Sequence, residues 1–124
     1  MKTLHDRVIE KIQKVLNQQN YDIYTNPGQE KNVSIGDNYP DIIMTEKNKD
    51  IVKFILEVET EESINIIEAN QWKKYSDEIN ATFYIVVPEH DLSKAQRLCQ
   101  QVGINARFAT YTKGFFDEIN FKFN

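Results

Sequence analysis

One cysteine, Cys99, stands among 124 residues, and that scarcity removes two chemistries together. A lone thiol closes no internal disulfide, and it builds no thiolate zinc cluster. Long apolar runs are lacking too. None approaches the roughly 20 residues that a membrane-spanning helix needs, and the opening MKTLHDRVIEKIQ mixes charges into an amphipathic pattern unlike a signal-peptide core. A cytoplasmic protein with no membrane partner is expected. Positive charge is in deficit: 15 Lys and Arg against 19 Asp and Glu leave a net charge of -4. That balance argues against a protein that coats nucleic acid through many phosphate contacts, while leaving room for local basic patches. What is present, 40% hydrophobic and 27% charged residues, matches one globular domain over residues 1–124 with a single core.

Periodicity organises the chain. Leu4, Val8, Ile12 and Val15 recur at helical spacing, which predicts a first helix over Leu4 to Leu16. A short strand, Tyr21 to Tyr24, precedes a segment rich in Asn, Gly and Gln, from Thr25 to Asn38, that reads as a long surface loop of the functional or mobile kind. Two strand-like runs, Tyr39 to Thr45 and Ile51 to Glu59, are separated by the polar Glu46 to Asp50 and suit an antiparallel hairpin. Thr60 offers a helix N-cap, with Glu61 and Glu62 near the positive dipole end, for a helix reaching about Ile79. Ala81 to Val87 is apolar throughout, as in a strand buried on both faces, and Pro88 stops it. Asp91 can cap a helix with Leu92, Ala95, Cys99 and Val102 on one face, and Gly103 sits where a left-handed terminal residue is expected. A strand from Ile104 to Tyr111 follows, and in the tail Ile119, Phe121 and Phe123 alternate as a strand would. The order α-β-β-β-α-β-α-β implies a mixed sheet with packed helices.

The hairpin carries the chemistry. Strand side chains alternate, so Val52, Phe54, Leu56 and Val58 are expected on one face and Lys53, Ile55, Glu57 and Glu59 on the other. Two like charges on one side of an otherwise apolar strand repel unless a cation lies between them. Asp41 opens the partner strand, so antiparallel pairing brings a third carboxylate to the patch. Hard oxygen ligands that converge without His or Cys suit Mg²⁺ or Mn²⁺ better than zinc. The competing reading makes Glu57 and Glu59 the solvent face of an edge strand.

In Tyr39-Pro40-Asp41-Ile42-Ile43, Ile55-Leu56-Glu57-Val58-Glu59 and the Gln71-Trp72-Lys73-Lys74-Tyr75 of the following helix, the chain resembles the PD-(D/E)xK nuclease superfamily, in its RecB-like, restriction-endonuclease-like branch. The resemblance covers about Tyr39 to Val87. It implies a three-layer core with a mixed central sheet and helices on both faces, a metal site at Asp41, Glu57 and Glu59, and hydrolysis of nucleic acid, with DNA the expected substrate. Glu59 occupies the position where the superfamily usually has its catalytic lysine, a departure that some members share. Lys74 is the expected substitute, because it lies about 60° round the helix from Gln71 whereas Lys73 lies about 160° away. Lys53 is about 13 Å back along the strand from Glu57. A catalytically inactive relative that binds nucleic acid or protein as a subunit is the alternative.

Ile64, Ile67, Gln71 and Tyr75 share a stripe expected to face the sheet. The resemblance sends Gln71 to the metal site and Tyr75 to a substrate phosphate; the plainer alternative has Gln71 satisfying a nearby backbone group and Tyr75 as a core aromatic. Trp72, on the flank, reads as packing. Glu10 projects opposite the buried stripe of the first helix and is expected in solvent, while His5 lies nearer the buried edge and reads as structural. His90 reads as a loop residue and Cys99 as an inert core thiol. Phe115, Phe116, Phe121 and Phe123 are expected in the core, with a homodimer or larger complex as the use for so apolar a tail.

Overall fold

The computed structural model describes residues 2–16 and 19–123. Six strands, β1 (Tyr21–Thr25), β2 (Ile42–Glu46), β3 (Val52–Val58), β4 (Thr82–Pro88), β5 (Arg107–Lys113) and β6 (Ile119–Phe123), lie side by side in chain order. The pairs β1–β2, β2–β3 and β5–β6 are antiparallel, and β3–β4 and β4–β5 are parallel. Three helices pack on this mixed sheet: α1 (Leu4–Val15), α2 (Ile66–Glu78) and α3 (Leu92–Val102), with 3₁₀ turns at Glu61–Ser63 and Glu89–Asp91. The protein is therefore α/β, with α1 on one face and α2 and α3 on the other. Among the described residues no helix is long and apolar enough to cross a membrane.

The parity of β4 explains the layering. Phe83, Ile85 and Val87 join Ile43, Ile55, Trp72, Ala95 and Cys99 in one buried cluster. Tyr84 and Val86 turn to the opposite cluster, with Val8, Ile9, Ile12, Leu56 and Val58. A strand covered on both sides is what its unbroken apolar run requires. Each large aliphatic side chain so buried contributes about 1.5–3 kcal/mol. Gly103 ends α3 at φ 76°, and its N–H and that of Ile104 close on the Cys99 carbonyl, as a left-handed helix terminus does.

Several sequence expectations are corrected. Helix α2 begins at Ile66 and not at Thr60: Asn65 is its cap, its side chain accepting from Glu68 N–H at 3.0 Å, and Thr60 heads the 3₁₀ turn instead. The buried stripe is then Ala69, Trp72 and Tyr75, with Ile67 79% exposed. On α1 the buried side chains are Val8, Ile9 and Ile12, and Val15 is exposed. Strand β2 starts at Ile42, three residues later than expected, although the Asp41 carbonyl still accepts from Asn26 N–H at 3.0 Å in continuation of the β1–β2 register. A bulge also interrupts the hairpin: Met44 pairs with Phe54 but Thr45 with Val52, leaving Lys53 unmatched. This extra residue moves Val52 to the α2 and α3 side, away from Phe54, Leu56 and Val58. Phe115, Phe116 and Phe123, expected in the core, are exposed, whereas Phe121 is half-buried.

The long connection between β1 and β2 is ordered by one side chain. Buried Asn26 donates through Nδ2 to the carbonyls of Val33 (2.8 Å) and Pro40 (2.7 Å), and accepts through Oδ1 from the N–H groups of Asn32 (2.8 Å) and Val33 (2.9 Å). At the far end, buried Asn38 bonds Lys74 and Glu78 of α2. Replacing Asn26 with Ala strands buried backbone groups, so Asn26→Ala is expected to destabilise the protein by about 2 kcal/mol or more. An unchanged urea midpoint for this variant would show that the loop is not held this way.

Candidate active site

The parallel strands β3 and β4 end at one edge of the sheet, where β2 begins and the first turn of α1 crosses. A cleft of about 370 Å³ opens there, lined by His5, Gly28, Gln29, Asp41, Glu57, Val58, Glu59, Thr60, Ser63 and Glu68. The three sequence-predicted carboxylates therefore share one cleft, the kind of crevice beyond strand carboxyl ends where α/β sheets take ligands.

Each is held by the backbone that brings it. Asp41 Oδ2 accepts from Val58 N–H at 2.8 Å and lies 3.0 Å from His5 Nε2. Reciprocally, Glu57 Oε2 accepts from Asp41 N–H at 2.8 Å. These two bonds stitch the entry of β2 to the end of β3. Glu59 lies one residue beyond β3; its N–H donates to Val86 O (2.8 Å), its carbonyl accepts from the Tyr111 hydroxyl (2.8 Å), and its Oε2 accepts from Trp72 Nε1–H (3.1 Å). Glu57 and Glu59 are 6% and 4% exposed, which rules out the solvent-facing edge strand: β3 is the third of six strands, covered on both faces.

Burial in this position moves protons. Burial first, and then the charges of Asp41 and Glu59, push the Glu57 carboxyl well above the usual carboxylate range, against the Asp41 N–H that donates to it. Burial also pushes Glu59 up to about 8, aided by the charges of Glu68 and Asp41 and opposed by hydrogen bonds with Ser63 and Trp72. His5 moves up to about 9, chiefly because it bonds Asp41, with Asp6 adding and burial opposing. Its other nitrogen, Nδ1, lies 2.9 Å from Asp6 Oδ1, and the same Asp6 oxygen accepts from Gly28 N–H at 2.9 Å. The imidazole is thus clamped between two acids, and the loop is pinned beside it. Glu68 is also raised, by burial and the Asp41 charge.

The remaining expected site residues, Gln71, Lys74 and Tyr75, do not line this cleft. Tyr75 is buried with its hydroxyl bonded to the Gln71 side chain; burial and the Glu57 charge push it up to about 12. Gln71 thus addresses Tyr75, one turn on. Lys74 turns to Asn38 and lies 3.5 Å from Glu78, Lys73 lies 3.5 Å from Asp77, and Lys53 lies 3.6 Å from Glu46. The cation bonded to the cluster is His5. Sequence reasoning passed over His5 as structural and did not single out Glu68; the signal for both was position, one on the first turn of α1 and the other on the first turn of α2, beside the end of β3. Trp72 is fully buried, as its packing role requires, and its N–H also holds Glu59.

Among the described residues, no three His, Cys, Asp or Glu side chains converge closely enough to form a finished metal cage. The reason is visible in the bonds: the oxygens named above are turned toward protein donors. The donor set nonetheless fits a hard divalent cation, since it consists of carboxylate oxygens with one imidazole and its mutual repulsion is what an added positive charge relieves. No protein-family model, curated protein or solved structure matches the chain.

Without added metal, the acids impose a pH dependence on folding. Glu59 keeps to about 8 a proton that an unfolded glutamate, near 4.5, has released, Glu57 behaves in the same sense, and His5 holds its proton to about 9 against 6.5 when unfolded. The folded state therefore binds more protons, and stability is expected to fall as pH rises from about 5 to about 9. Urea midpoints with EDTA should be higher at acid than at alkaline pH, and the double variant Glu57→Gln, Glu59→Gln should flatten the slope; a midpoint that climbs with pH would contradict the burial of these protons.

Proposed function

We propose that the chain is a metal-dependent nuclease that hydrolyses phosphodiester bonds of DNA, with a restriction-endonuclease-like core and Mg²⁺ or Mn²⁺ held by Asp41, Glu57 and Glu59. The observation that carries the reading is the meeting of these three acids in one cleft at the β2–β3 junction, with Glu57 and Glu59 buried and mutually repelled. The element order α-β-β-β-α-β from Leu4 to Pro88 supports it, being the core order that the superfamily resemblance implies.

When bound, the cation would lower the pKa of a coordinated water and neutralise charge developing on the phosphate. The chain's own residues do the rest. Glu57 and Glu59 are fixed by the backbone ladder and by Trp72, so their carboxylates are positioned before substrate arrives. His5, oriented by Asp6, places a cation-forming group against Asp41. The Gln71–Tyr75 pair backs Glu57 from α2.

A second reading draws on a specific observation: Glu59 stands at the usual lysine position, and Lys53, Lys73 and Lys74 each pair away from the acids. In that reading the chain is a catalytically inactive nuclease-fold subunit that binds nucleic acid or protein.

Plasmid and oligonucleotide cleavage with Mg²⁺ or Mn²⁺ separates the two. The wild type is expected to cleave, and Asp41→Ala and Glu57→Ala to lose about a hundredfold or more in rate, as when a group stabilising transition-state charge is removed. Trp72, the single tryptophan, reports the metal independently, because its N–H bonds Glu59: its fluorescence should change on Mn²⁺ titration in the wild type and not in Asp41→Ala. Equal cleavage by all three proteins removes the nuclease reading; Asp41-dependent metal binding without cleavage of any substrate favours the inactive subunit.

A further inference from the structure

The edge of the sheet that holds the cleft carries a second feature. Strand β5 runs parallel to β3 and β4, so its carboxyl end and the turn 114–118 leading into β6 leave the sheet on the cleft side. Val58 is level with Val86, and Val86 with Ala109, so Lys113 stands about 13 Å beyond the end of β3 at about 3.3 Å per residue. At the tip Phe115 and Phe116 are 97% and 94% exposed. Two adjacent phenylalanines kept in water forgo the burial that normally draws such side chains inward.

The turn that presents them is built. Gly114 N–H donates to the Glu118 carbonyl at 2.8 Å, Asp117 N–H to the Gly114 carbonyl at 3.2 Å, and Phe116 N–H to the Glu118 carboxylate at 2.8 Å. Asp117 takes a left-handed φ of 62°. From α1, the Arg7 guanidinium donates to the Asp117 carbonyl. Arg7 also begins a line of cations, Arg7, Lys11 and Lys14, at i, i+4 and i+7 spacing on α1, which is one helix ridge about 10 Å long. This ridge borders a groove of about 730 Å³ between α1 and the hairpin. Glu10 pairs with Lys2 and lies 3.5 Å from Lys14, and Lys113 at the foot of the turn lies 3.5 Å from Asp117, so among the described residues Arg7 and Lys11 are the cations of this groove that no carboxylate pairs.

We propose that Phe115 and Phe116 form a stacking platform for unpaired nucleobases while Arg7, Lys11 and Lys14 take phosphates of the same strand, so that the substrate of the cleft is single-stranded or locally unpaired nucleic acid. The proposal rests on the nuclease reading and narrows its substrate class. Aromatic faces stack on any base and a basic ridge tracks the backbone, whereas a duplex hides its base faces. The line of cations on α1 matches a polyanion, and the two exposed phenylalanine faces match its unpaired bases.

Fluorescence anisotropy with a labelled oligothymidylate, and with a duplex of the same length, tests this in EDTA, where no hydrolysis consumes the probe. The single strand is expected to bind at least tenfold more tightly than the duplex. Phe115→Ala with Phe116→Ala should weaken it tenfold or more with an unchanged unfolding midpoint, and Lys11→Glu should weaken it and reduce the salt dependence. Wild-type affinity in the double phenylalanine variant overturns the platform, as does a wild-type dimer in light scattering that this variant abolishes without altering oligonucleotide binding. If Asp41-dependent cleavage persists alongside either result, only the platform fails; if the wild type neither binds nor cleaves any nucleic acid, the nuclease reading fails with it.

Discussion

Two glutamates at the end of a doubly covered strand set the terms for everything around them. Glu57 and Glu59 are almost wholly withdrawn from bulk water there, and their charges repel each other and Asp41. The fold answers with protons and with donors: the Asp41 N–H on Glu57, the Trp72 indole on Glu59, and His5 and the Val58 N–H on Asp41. Exchanging Glu57 or Glu59 for an apolar side chain would relieve desolvation, so keeping both glutamates in place is energetically unfavourable in the absence of a ligand. That imbalance is the physical argument for a cation-dependent function.

The sheet topology makes the arrangement possible. Because β2 is antiparallel to β3, the entry of β2 lies beside the exit of β3, and Asp41 reaches Glu57 across 16 residues of sequence. Because β4 and β5 run parallel to β3, their carboxyl ends gather at the same edge. The Tyr111 hydroxyl from β5 can therefore cap the Glu59 carbonyl. Helix α1 contributes from the other face through His5, and the loop after β1 closes over it through Asp6 and Gly28. On the proposed reading the same edge serves both catalysis and substrate capture, with the hairpin tip reaching past the cleft.

Much of the local structure was legible in the chain. Period-two alternation put Glu57 and Glu59 on one side of β3, the unbroken apolar run of β4 demanded cover on both faces, and Gly103 marked a helix end. These features depend on a residue and its near neighbours, and so survive without knowledge of the fold. Where a local rule had a rival, it slipped: Thr60 and Asn65 are both competent caps, and the later start leaves Ile64 outside the helix, whose buried side chains are Ala69, Trp72 and Tyr75 with Ile67 exposed. The unmatched Lys53 likewise shifted Val52 across the sheet, since a bulge reverses parity without any strong local signature.

By itself the sequence determined the element types, the pairing of two acids on one strand face and the presence of a third at the start of its partner, because backbone geometry converts spacing into direction. Only the tertiary structure decided that His5, 36 residues from Asp41, is the cation that meets it, that Trp72 and not a lysine attends Glu59, and that Phe115 and Phe116 stand in water. Those outcomes depend on which helix crosses which strand end and how far β5 overruns β3. Such long-range placements follow from the packing of whole layers, a balance of burial that no short stretch of residues encodes.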